Sequence, residues 1–149
     1  MMKALLALLS LALFATGAQA QSPKHKSELS EQCRKQANEV FKKKRDGQVS
    51  APTDTSWTFT TYQSHYNSRS NKCFYLLKRE GHRENYRDSR GLYKIIMLID
   101  LHENRGIGSY EGMTTEPTKE EKTFDCLVEQ QRCKTEGEWR ALIKPFMED

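Results

Sequence analysis

Four cysteines constrain this chain most strongly, because the residues ahead of them read as an export signal. Residues 1–20 begin with Lys3, continue through an apolar run from Ala4 to Ala15 and close on Ala18-Gln19-Ala20. That is the charged start, short apolar centre and A-x-A cleavage pattern of a secretory signal peptide. The apolar run is too short to span a bilayer as a helix. Cleavage after Ala20 leaves Gln21–Asp149 in an oxidising compartment, where thiols become disulfides. The expected location is periplasmic or secreted. No later apolar run approaches membrane-spanning length; the longest, Ile95–Ile99, reads as a strand.

Four cysteines permit three pairings, and spacing alone does not choose among them. Position favours one. Cys33 falls on the apolar stripe of an expected helix, and Cys73 opens a strand on the same face as Tyr75 and Leu77. Cys126 and Cys133 flank a turn expected at Glu129–Arg132. In one continuous helix their Cα atoms would lie on the order of 10 Å apart, beyond bridging distance. The expected pattern is therefore Cys33–Cys73 and Cys126–Cys133. The loop-entropy model assigns about 4 kcal/mol to the long loop and about 2.5 kcal/mol to the short one. Neither C-x-x-C nor a cysteine–histidine cluster is present, so these cysteines read as structural, with no metal and no cofactor expected.

Gln21–Lys26 reads as a disordered start. Ser27 or Ser30 can cap a helix whose stripe is Leu29, Cys33, Gln36/Ala37 and Val40/Phe41. Asp46-Gly47 would end it, and Ser50–Ser56, with Pro52, reads as a linker. From Trp57 the apolar period changes to two. Strands are expected at Trp57–His65, Lys72–Arg79, Leu92–His102, Ile107–Glu111 and Thr123–Val128. Between them fall the polar loop Tyr66–Asn71, the charged loop Gly81–Gly91 and the long loop Gly112–Glu121. Thr135, with Glu138 three residues on, opens a last helix with the stripe Trp139, Leu142, Ile143 and Phe146, which Pro145 would end early. Residues 21–149 thus form one α+β domain. The expected fold is an antiparallel β-meander of four to five strands with an N-terminal and a C-terminal helix, both on one face.

Charge is unevenly spread. Lys24–Arg45 carries eight basic and three acidic residues, whereas Asp100–Asp149 carries seven basic and twelve acidic. A basic end can meet an anionic lipid or polysaccharide, but lysines in a last helical turn also complement the helix dipole without any ligand. For catalysis at neutral pH the first residues to weigh are histidines. His65 and His102, with Glu103 and Arg105, could act as a small nuclease only if the strands bring them together. No G-x-S-x-G, H-E-x-x-H or Walker loop is present.

The most distinctive segment runs Ser64-His65-Tyr66-Asn67-Ser68-Arg69-Ser70-Asn71-Lys72-Cys73-Phe74, echoed at the end by Glu138-Trp139-x-x-Leu142-x-Lys144-Pro145-Phe146-Met147. It resembles small exported bacterial proteins of uncharacterised role that carry a Y-N-x-x-x-N-K-C-F stretch. The resemblance implies a bacterial origin and a defined fold, and no particular activity. Asn67 and Asn71 suit turn conformations that Cys73 would staple, either to build the fold or to stiffen a recognition loop.

The reading that results is an exported, disulfide-stabilised binding protein without a catalytic site, acting on an envelope protein or inhibiting a hydrolase. Its candidate surfaces are Tyr66, Asn67, Arg69, Asn71 and Lys72 in one loop and Arg83, Arg87 and Arg90 in the other. The alternatives are the nuclease-like hydrolase and the binder of anionic surfaces.

Overall fold

Five consecutive buried residues, Cys73 to Leu77, form the axis of the molecule. In a strand, neighbouring side chains point to opposite faces, so an unbroken buried run means that both faces of the sheet are covered there. The computed structural model, which describes residues 22–45, 57–86 and 89–149, shows what covers them. The expected signal peptide, the Asp46-Gly47 stop, the Ser50–Ser56 linker and Arg87 lie outside the described residues.

Helix α1 spans Pro23–Arg45. It starts earlier than expected: residues 23–26, read as disordered, form its first turn. The cause is local. Pro23 fixes a helical φ where no backbone donor is needed, and the Ser22 hydroxyl accepts the His25 N–H at 3.3 Å.

Six strands follow: β1 (Trp57–Asn67), β2 (Lys72–Tyr86), β3 (Ser89–Asp100), β4 (Arg105–Thr115), β5 (Glu121–Val128) and β6 (Gln131–Arg132). They lie in one sheet in sequence order, every neighbour antiparallel. The meander is as expected, with six strands in place of four to five. The additional strand is the two-residue β6, held where Cys126 and Cys133 close the β5–β6 turn and the Cys133 N–H donates to the Cys126 carbonyl at 3.0 Å.

Two expected loops are largely strand. Gly81–Gly91 is the far end of the β2–β3 hairpin, with His82 paired to Leu92 and Arg83 to Gly91. Pairing there uses backbone groups, which charged side chains on an exposed ribbon do not oppose. Likewise β4 continues to Thr115, and Thr114 pairs with Glu121.

Helix α2 spans Glu136–Met147, capped by Thr135, whose hydroxyl accepts the Glu138 N–H at 3.2 Å. Pro145 lies inside it without ending it. The two helices sit on opposite faces, not on one. Cys33 and Ala37 of α1 pack with Cys73, Tyr75 and Leu77, whereas Trp139 and Ile143 of α2 pack with Phe74, Leu76, Ile96 and Leu98. A core on both sides of β2 and β3 removes the alternation from which one-sided burial would have been read. Disulfides link Cys33 to Cys73 and Cys126 to Cys133, as expected, with Cα separations of 5.4 Å and 5.0 Å. The first fastens α1 to the sheet.

Candidate functional site

The Tyr66–Lys72 turn is occupied with holding the fold together. Asn67 is 1% exposed. Its amide donates to the carbonyls of Pro145 at 3.0 Å and Glu148 at 2.9 Å, which satisfies the open end of α2. Its carbonyl accepts from the Ser70 N–H at 3.0 Å, closing the β1–β2 turn. Asn71 adopts the left-handed conformation, φ 53°, and accepts the Tyr66 hydroxyl at 2.7 Å. Lys72 donates to Asp100 at 2.8 Å and Glu103 at 2.6 Å. Burial pushes the Asp100 carboxyl up, but Lys72 and the Glu103 and His102 N–H groups outweigh it and hold it below the usual carboxylate range. Of this loop's candidates Arg69 and Asn71 alone are exposed.

Asp149 lies beside the same turn. It pairs with Lys26 and accepts the Ser68 N–H at 2.9 Å, so its carboxyl is held well below 3.8, first by Lys26 and then by Ser68. His65 Nε2 is buried, makes no hydrogen bond and stands 3.7 Å from Asp149. His102 belongs to the β3–β4 turn, where its N–H donates to Asp100 at 2.9 Å. His65 is opposite Phe74, which is opposite Asp100. Register thus sets the backbones of His65 and Asp100 two strand spacings apart, about 10 Å, with His102 in the turn beyond Asp100. Glu103 is paired with Lys72 and with Arg105.

In the charged hairpin, the Arg83 guanidinium stacks 5.3 Å from the centre of the Tyr93 ring. Arg90 approaches Glu116 at 3.7 Å, as does His82.

A surface that sequence reasoning did not mark lies on the α2 face, beyond that helix's first turn. The three large apolar side chains left exposed among the described residues all gather there: Trp57 at 44%, Phe59 at 61% and Leu92 at 47%. Cross-strand register explains the grouping. Trp57 is opposite His82, and His82 opposite Leu92; Phe59 is opposite Glu80, and Glu80 opposite Lys94. They border a trough of about 380 Å3 that also contacts Tyr110 and Glu136. Tyr110 lies flat against the sheet because residue 112 is glycine: a Cβ there would stand 2.3 Å from the Tyr110 hydroxyl.

A ladder of charges separates the trough from the covered part of the face. Lys78 pairs with Glu80 at 2.8 Å, Glu80 with Lys94 at 3.7 Å, Lys94 with Glu136 at 2.6 Å, and Glu136 with Arg140 at 2.6 Å. Burial pushes Glu136 up, and Lys94 and Arg140 together bring it below its ordinary value. Lys94 is raised, because Glu136 and Glu80 outweigh its own desolvation.

The trough is open because α2 is short. Twelve helical residues span about 18 Å, whereas the twelve residues of β3 span about 40 Å. Among the described residues no group of three or more His, Cys, Asp or Glu is arranged to hold a metal ion, and no helix is long and apolar enough to cross a membrane. Comparison with protein families, curated proteins and solved structures finds no match for the chain. The trough therefore has to be read from its own chemistry: aromatic walls, a rigid floor and a charged rim.

Proposed function

We propose that the protein is a binding module of an oxidising compartment, periplasmic or extracellular, and that it meets a protein partner through the trough beside Trp57, Phe59 and Leu92. One observation carries this reading. All three exposed large apolar side chains among the described residues fall on one face around one depression, whereas single apolar side chains scattered over a surface need no explanation. Aromatic anchors ringed by polar groups are the usual makeup of an interface centre. The two disulfides support the compartment. The turn residues Asn67, Asn71 and Lys72 already have internal partners, which leaves the trough as the better candidate surface.

The test places a photocrosslinking residue at position 59, or at Arg83 as a control, in cells that express the protein. A single protein crosslinked from position 59, and lost in Leu92→Asp, is the expected result. Crosslinking from Arg83 alone would instead assign binding to the basic hairpin.

A further inference from the structure

The trough is anionic in a basic protein. The chain carries a net charge of +4, yet the ionised groups lining the trough are three carboxylates, Glu80, Glu121 and Glu136, and one ammonium, Lys94. Lys94 is already shared between Glu136 and Glu80. Glu121 is not engaged in this way. It accepts the Tyr110 hydroxyl at 3.2 Å and enters no ion pair among the described residues.

Register fixes where that carboxylate lies. Trp57 is opposite His82, His82 opposite Leu92, Leu92 opposite Thr114 and Thr114 opposite Glu121. Residues directly opposite share a face, so one row crosses five strands with an exposed tryptophan at one end and an exposed carboxylate at the other. The row is four strand spacings long, about 19 Å. Burial raises the Tyr110 hydroxyl above its ordinary value, and Glu121 and Glu136 both add to it. Carboxylates from two different elements therefore act on one point of the trough floor.

A group that matches both ends of the row is amphipathic, with an apolar side chain for Trp57 and Leu92 and a cation for Glu121. Of the cationic side chains arginine fits this end best. Its guanidinium is weakly hydrated, always charged, and able to donate two bonds to one carboxylate. Arg140 already binds Glu136 in this manner at the rim, through Nε at 2.8 Å and Nη2 at 2.6 Å. We propose that the partner enters the trough with an arginine: an extended segment crosses the strands, its apolar side chain against Trp57 and Leu92 and its guanidinium at Glu121. This inference rests on the trough as the partner site and adds the chemistry of what occupies it. An extended chain advances about 3.3 Å per residue, so about five residues separate the apolar side chain from the arginine.

The test uses a synthetic six-residue peptide with leucine first, arginine last and serine between, and a second peptide with uncharged citrulline in place of arginine. Of the two tryptophans Trp139 is buried and Trp57 is exposed at the trough, so a change in emission reports occupancy. In Glu121→Gln an amide carbonyl still accepts the Tyr110 hydroxyl, so the charge is removed and the fold kept. The expected result is binding of the arginine peptide that weakens about tenfold or more with citrulline or in Glu121→Gln, the loss of one charge-assisted bond. Glu28→Gln, on α1, leaves it unchanged. No binding of the arginine peptide at about 10 mM overturns the proposal, as does equal binding of the two peptides or of wild type and Glu121→Gln. A second arm uses the photocrosslinker at position 59, whose crosslinked protein should be lost in Glu121→Arg. A crosslink that survives Glu121→Arg leaves the protein partner standing and overturns its arginine. No crosslink even with Glu121 intact overturns both.

Discussion

Replacing Asn67 tests whether the turn it occupies builds the fold or recognises a ligand. In Asn67→Ala the carbonyls of Pro145 and Glu148 lose their donor, and the Ser70 N–H loses its acceptor. At about 1 kcal/mol for each of these bonds the cost is about 3 kcal/mol, or on the order of 10 °C in Tm. Asn67→Asp is the sharper variant. It keeps the acceptor for Ser70 but turns a carboxylate oxygen toward carbonyls at the negative end of α2. Its folded pKa must therefore rise above the unfolded value. A group raised in this way adds stability below its unfolded pKa and loses it as pH climbs through the folded one. Asn67→Asp should thus be the less stable of the two at pH 7 and recover toward pH 4. Urea unfolding with disulfides intact, followed by circular dichroism at both pH values, gives the comparison. An Asn67→Ala midpoint equal to wild type, or an Asn67→Asp variant that weakens on acidification relative to Asn67→Ala, refutes the reasoning.

Two further outcomes follow from the same structure. Removing Cys33–Cys73 as a double alanine variant should cost about 4 kcal/mol, and removing Cys126–Cys133 about 2.5 kcal/mol, measured by denaturant midpoint; equal losses would contradict the loop-length argument. Asp149→Asn should be less stable than wild type at neutral pH and low salt. Because Lys26 and Ser68 lower the folded pKa of Asp149, that difference is fully present above the ordinary value of 3.8, shrinks progressively below it and is lost only as pH falls through the lowered folded pKa, and a difference that stays constant on acidification would contradict the ion pair.

Local signals in the sequence carried much of the fold. The threonine and glutamate that open α2, the stripe of Leu29, Cys33 and Ala37, and the alternation from Trp57 onward each reflect a one-element property, so they were legible. The placement of α2 opposite α1 was not, because Cys73–Leu77 is buried on both faces and hides which residues look which way. Charge misled at Gly81–Gly91, where pairing depends on backbone groups and continues beneath arginine and glutamate. The trough was hidden for a related reason. Trp57, Phe59 and Leu92 sit in strands whose pattern promises burial. Their exposure depends on where α2 stops along the sheet, a length difference between elements far apart in the chain. Asn67 and Lys72 stood out as a motif, but only the packed C-terminal segment shows that their side chains are already engaged.

The connectivity of the two disulfides bears on how the protein is made. Each bond joins cysteines that are consecutive in the chain, first with second and third with fourth. Of the three possible patterns, this is the one that oxidation in order of emergence produces when the N-terminus arrives first. A pattern that interlaced or nested the pairs would leave an early cysteine waiting for a distant one and exposed to the wrong partner. In that order of arrival Cys33 would meet Cys73 before Cys126 or Cys133 is present. The meander follows the same order, since each strand pairs with the one just delivered. Native cross-links can therefore form stepwise by simple oxidation, with no need for exchange between mispaired sulfurs.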